Sequence, residues 1–193
     1  MTLAYFDCFS GISGDMILGA FLDAGLPFDD LKRALGSLAV QGYDITAERV
    51  LRAGVSATRF SVDERGHHDH EQPHVHEHTH GHHEHTHGHE HGHAEGHVHG
   101  HTHDKNGHVH RTLPEIYGLI DQSALSPAGR NRAKELFHRL AEAEAAIHET
   151  PIDRVHLHEV GALDSIIDIV GAVFALEWAG AERVICSPLN VGG

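Results

Sequence analysis

Cysteine is nearly missing from this chain. Cys8 and Cys186 are the only two, too few for a disulfide framework or a four-thiolate metal site, so both read as ordinary reduced thiols. Basic residues are also scarce, with 14 Lys and Arg against 28 Asp and Glu and a formal net charge of −14. A protein that grips a phosphate backbone needs a basic face, so nucleic acid is excluded as a partner. Long hydrophobic runs are absent too. The most apolar stretch, Ile166 to Trp178, is interrupted by Asp168 and Glu177 and is too short to span a bilayer. The opening "MTLAYFDCFSG" has no basic region leading into an apolar core and a small-residue cleavage site. These absences together predict a cytoplasmic protein with no membrane partner.

What the chain has in excess is histidine. All of its 24 histidines except His138, His148, His156 and His158 fall between His67 and His110. With this tract set aside, about 150 of the 193 residues remain to fold, enough for one compact domain. The tract has almost no Leu, Ile or Phe with which to build a core, and is expected to be a disordered, metal-binding insert. Its densest part carries His74, His76, His78, His80, His82, His83, His85, His87, His89, His91 and His93, interspersed with Gly, Glu and Thr. A flexible chain of this kind closes many overlapping sets of two to four imidazoles around a divalent ion, at high capacity and with loose geometry. Catalysis needs fixed ligands and a supporting shell, which the tract lacks, so it reads as a reservoir or delivery arm. The imidazoles titrate near pH 6.5, about the unperturbed value, so mild acid should release the metal.

On either side of the tract the pattern is that of an α/β protein, or of an α+β one. "LAYFD" suits a strand, "CFSGISGD" a small-residue turn, and "MILGAFLDAG" a helix. A second helix over Phe28 to Leu38 places Leu31, Ala34, Leu35 and Leu38 on one face, and "YDITAERVLRAGVSATRFSVDE" reads as a hairpin turning at Ala53 and Gly54. Beyond Thr112, "LPEIYGLID" is helical. A longer helix starts at Ser126 and Pro127, with a stripe of Ala133, Leu136, Phe137, Leu140, Ala143 and Ile147, and is expected to end at Pro151. "RVHLHEVG" is a brief extended segment, "DSIIDIVGAVFALEWA" a largely buried helix closed by Gly180, and "RVICSPL" a last strand. The expected division is 1–62, an α/β segment; 63–111, the insert; and 112–193, helices and a final strand completing the same domain. The closing "NVGG" reads as a loop without a capping element, as of a larger architecture cut short.

Two stretches carry chemistry better than the tract does. In "DCFSGISGD", Asp7 ends a strand while Ser10, Gly11, Ser13 and Gly14 lead into a helix whose first turn holds Asp15, a place for a phosphate or its cation. The competing reading makes Ser13 and Asp15 ordinary capping residues. In "HLHEVGALDSIID", His156 and His158 would project to one face of an extended segment, the geometry of two imidazoles on one metal, and Glu159 follows at once. Asp164 and Asp168 stack four apart on an otherwise apolar helix. Here the competing reading has Asp164 capping the helix, Asp168 facing solvent and the histidines satisfied in the core. His138 and His148 read as surface residues.

"YFDCFSGISGDMILGA" and "VHLHEVGALDSIIDIVGA", separated by a histidine-rich insert and "HRTLPEIYGLI", closely resemble the LarC family of nickel-pincer cofactor biosynthesis proteins, the nickel insertases. The resemblance covers essentially the whole chain, although the family normally continues for a comparable length beyond "CSPLNVGG". It implies a lyase-class enzyme, a cyclometallase. Its reaction puts Ni(II) into pyridinium-3,5-bisthiocarboxylic acid mononucleotide with two Ni–S bonds and one Ni–C bond, using CTP and Mn or Mg ions, for lactate racemase-type enzymes. It also implies a C-terminal half as partner, and a homo-oligomer is expected. On this reading the tract gathers nickel and His156, His158 and Glu159 receive it. Asp7, Ser10, Gly11, Ser13, Gly14 and Asp15 position a phosphate or its cation, and Asp164 or Glu159 takes the ring proton. The alternative is a non-catalytic nickel storage protein or metallochaperone.

Overall fold

The first described strand lies against the last. In the computed structural model, which describes residues 1–38, 42–52, 54–64, 111–157 and 161–189, β1 (Thr2–Phe6) pairs in parallel with β6 (Ala181–Cys186), Tyr5 opposite Ile185 and Phe6 opposite Cys186. From β1 the chain passes through the glycine-serine loop into α1 (Gly14–Asp23) and then α2 (Phe28–Gly36). Pro27 has φ −66 at the N-cap of α2, and Asp29 and Asp30 in its first turn complement the helix dipole. Leu31, Ala34, Leu35 and Leu38 are all buried, as the spacing predicts.

β2 (Tyr43–Arg52) and β3 (Val55–Glu64) form the expected antiparallel hairpin. Arg52 lies opposite Val55, and Gly54 has φ 82, a value that disfavours any residue with a Cβ. α1 packs on β3 at Gly19, where a Cβ would overlap the Thr58 carbonyl oxygen. Their union is reinforced by Asp23, which accepts from the Thr58 amide at 2.9 Å and the Thr58 hydroxyl at 2.7 Å, and from Arg49.

From residue 111 onward, β4 (Arg111–Thr112) pairs antiparallel with β5 (His156–Leu157), Thr112 opposite His156. Thr112 and Glu115 make a capping box for α3 (Leu113–Gln122), and Ser126 caps α4 (Pro127–Ile147) by accepting from the Gly129 amide at 3.0 Å. α4 departs from expectation twice. Its buried residues are Gly129, Ala133, Phe137 and Ala141, while Leu136, Ala143 and Ile147 are exposed, so the burial stripe is rotated. It also stops before Pro151 acts: Glu149 takes φ 50 and the Thr150 amide donates to the Ala145 carbonyl at 3.1 Å, the wrapped helix ending that a left-handed residue permits.

α5 (Leu163–Trp178) is the centre of the assembly, in contact with α1, α2 and α4, and Gly180 closes it with φ 61. Its Ile166, Ile167, Val170 and Val173 join Leu18, Leu31, Leu35, Phe60 and Phe137 in one core drawn from both sides of the histidine tract. Mixed helix and strand around a single core is the fold class expected from the sequence. No helix among the described residues is long and apolar enough to cross a membrane.

Candidate functional site

Asp7 follows β1 immediately, at the carboxyl end of the strand, and is exposed. Cys8 turns inward to full burial, and both cysteines are free thiols. The turn is tied down by three hydrogen bonds. The Cys8 amide donates to the Ser187 hydroxyl at 2.7 Å, the Ser187 amide to the Phe6 carbonyl at 2.9 Å, and the Gly11 amide to the Cys8 carbonyl at 3.0 Å, with Gly11 at φ 88. The segment after β6 therefore holds the loop after β1 in place. Ser10 and Ser13 stay exposed.

Ser13 occupies the N-cap of α1 in extended conformation, yet its hydroxyl donates to the Asp15 carboxylate and does not cap the helix. The capping reading is thus right about position and wrong about the bond. Asp15 sits in the first turn, where the dipole favours a carboxylate.

Packing joins the two motifs at one point. Gly14, the first residue of α1, lies directly against Asp168 of α5, and a Cβ at Gly14 would overlap the Asp168 carboxyl group. Only glycine lets the helix start so close to that side chain. Asp168 is half-buried rather than facing solvent, which corrects the alternative reading of this residue. Burial, followed by the neighbouring charges of Asp15 and Asp164, pushes its carboxyl up to about 6. Asp164 itself is exposed in the first turn of α5 and accepts from the Ser165 amide at 2.7 Å; the N-cap is Ala162, so Asp164 does not occupy the cap. Three carboxylates from two helices therefore share one field at the start of α1.

His156 is exposed on β5 and is paired through its backbone to Thr112, not joined to these carboxylates. His158 and Glu159 lie outside the described residues, as do His74 to His93 of the tract. Among the described residues no three His, Cys, Asp or Glu side chains are grouped to hold a metal ion. His138 and His148 are at the surface beside Glu142 and Glu144, at 3.5 and 3.3 Å. Asp168 is the residue that sequence reasoning undervalued. Its spacing from Asp164 was visible, but the signal that it matters was the glycine at position 14, 154 residues away in the chain.

Comparison with known proteins covers the same span. The family model described as nickel insertion protein matches residues 4–193. A putative nickel insertion protein of Roseiflexus castenholzii is 43% identical over 188 residues, 97% of this chain and 38% of the relative. A protein of Desulfitobacterium hafniense named pyridinium-3,5-bisthiocarboxylic acid mononucleotide nickel insertion protein is 40% identical over 192 residues, all of this chain and 38% of the relative. A protein of the same name from Geobacillus kaustophilus is 36% identical over 197 residues, with 39% of its length covered. The chain thus spans about two-fifths of the length of these curated relatives. No solved structure matches it.

Proposed function

This chain belongs to the nickel insertion protein family, and we propose that it is the nickel-handling part of an insertase acting on pyridinium-3,5-bisthiocarboxylic acid mononucleotide. The observation that carries the reading is the contact of Gly14 with Asp168. It brings a loop suited to a phosphate and a carboxylate suited to a proton to the same helix end.

The substrate offers two thiocarboxylates and one ring carbon between them. Forming two Ni–S bonds requires soft sulfur donors on the substrate and a metal delivered without tight competing ligands. The tract is proposed to supply such delivery, because its many closely spaced imidazoles offer overlapping ligand sets between which a metal exchanges readily, and His156, His158 and Glu159 are the proposed acceptors. The Ni–C bond forms at the expense of a ring C–H bond, whose proton must go to a base. Asp164 and Glu159 are candidates by sequence. Asp168 is the better one, because a carboxyl raised to about 6 is still mainly ionised near neutral pH and is a stronger base than an ordinary carboxylate.

Asp7, Ser10, Gly11, Ser13, Gly14 and Asp15 are proposed to position the mononucleotide phosphate. The loop has hydroxyls and backbone amides but no Lys or Arg, and three carboxylates stand nearby. A phosphate accompanied by a divalent cation suits that field. The resemblance to the family implies that CTP and its Mn or Mg ions are handled by the remainder of the longer family polypeptides. Release of the finished cofactor to a lactate racemase-type enzyme in the cytoplasm completes the proposal.

The test uses the full-length family protein carrying this chain. Replacing His156 and His158 with Ala should lower cofactor yield at limiting nickel, and unchanged yield removes them from the mechanism. Deleting Gly66 to Asn106 should leave insertion intact in abundant nickel and impair it when nickel is scarce. Loss of nearly all nickel binding with no insertion activity in the parent protein would identify a storage protein instead.

A further inference from the structure

Among the described residues the β1–β6 pair is a parallel ribbon of two strands, and the two faces of β1 differ. Phe6 points to α1, its ring 6.0 Å from that of Phe21 in an edge-to-face contact. By strand alternation Leu3 and Tyr5 point the other way, where Tyr5 has the half-buried Ile185 as its register partner. Leu3 is 50% exposed and Tyr5 59% exposed. Parallel sheets occur almost only where both faces are covered, and two strands are fewer than a sheet needs to hold by itself. The hairpin shows the contrast within the same molecule, because it is antiparallel, the arrangement that tolerates a wet face.

We propose that the β1–β6 pair is the docking surface for the remainder of the longer family polypeptide, which extends the sheet with further strands and covers Leu3, Tyr5 and Ile185. The occupant is indicated by length. The matched region is 38–40% of each relative, so about three-fifths of every such polypeptide lies outside it. A tethered segment meets the surface at an effective concentration that a separate partner does not reach. The inference rests on family membership and deepens the proposed function. The Cys8 to Ser187 and Ser187 to Phe6 bonds tie the candidate phosphate loop to this sheet, so the same docking would bring the remainder's groups beside Asp7.

Amide hydrogen exchange tests it without any nickel readout, so failure of the insertase reading would leave the result intact. Exchange is measured in this chain alone and in the full-length Desulfitobacterium hafniense relative, and each strand is normalised to the β2–β3 hairpin of the same protein. The proposal expects the normalised β1 and β6 amides to exchange about tenfold or more faster in this chain than the matched amides of the relative. It also expects Tyr5→Lys to leave both the oligomeric state and the melting temperature of this chain unmoved. Equal normalised protection in the two proteins would overturn it. So would a dimer of this chain that Tyr5→Lys dissociates, which would assign the surface to a second copy.

Discussion

At the C-terminal end of α1, Asp23 accepts from the hydroxyl and amide of Thr58 and from Arg49, and these partners, Thr58 foremost, hold its carboxyl below the ordinary carboxylate range. At the N-terminal end, Asp168 has no cation among the described residues, and burial beside Asp15 and Asp164 pushes it up to about 6. The helix dipole alone would order the two the other way, since it favours anions at the N-terminus. Short-range donors and desolvation outweigh it at both ends. The hairpin end is arranged so that each charge is answered, which stabilises the fold. The loop end gathers like charges in partial burial, the arrangement that costs stability and is found where a group must exchange protons or bind cations.

The sharpest way to break this contrast is to insert a side chain at its meeting point. Gly14→Val should displace Asp168 and cost about 1–3 kcal/mol in urea denaturation, the range for overpacking a close contact. In an Asp168→Gly background, which also removes the Cβ that the new side chain meets, the same substitution should cost less, and an equal cost in both backgrounds would show that the two residues do not meet. At the other end, Asp23→Ala should lower the melting temperature and speed exchange of the Thr58 amide, with a smaller effect because Asp23 is at the surface. An unchanged Thr58 amide would remove the bond from consideration.

The two carboxyls should also differ in the sign of their pH dependence. The native Asp168 binds a proton more readily than an unfolded Asp, whose ordinary value is 3.8. Its contribution to stability is therefore fully present below that value and is lost as pH rises through about 6. Asp23, held low, contributes above its ordinary value and loses that contribution as pH falls through the lowered one. The smallest effect expected is that of Asp168→Asn, which should raise the melting temperature slightly at pH 8 and flatten the melting profile between about pH 4 and 6. A profile that keeps its slope in that window would assign the titration to another group.

Much of this was legible without coordinates. The strand before Asp7, the buried face of α2, the hairpin at Gly54 and the apolar α5 each follow from short-range spacing. α4 shows the limit. Its chosen stripe included Leu136 and Ile147, which are exposed, whereas Gly129 and Ala141 are buried. A long helix with apolar residues on neighbouring stripes fits several orientations locally, and α3 and α5 decide which one is buried. Asp168 shows the same limit at the site: helical spacing placed it with Asp164, but burial depended on a glycine in another motif.

The amino-acid sequence by itself determined the identity and order of the elements apart from the two-residue β4, the cap at Ser126, and the concentration of imidazoles between His67 and His110. These depend on steric preference, hydrogen bonding and composition within a few residues. Only the tertiary structure decided that β1 lies along β6, that α1 begins against Asp168, and that Leu3 and Tyr5 face outward. Each of these arises when segments far apart in the chain are forced by a shared core to occupy adjacent space, and no local spacing carries that information.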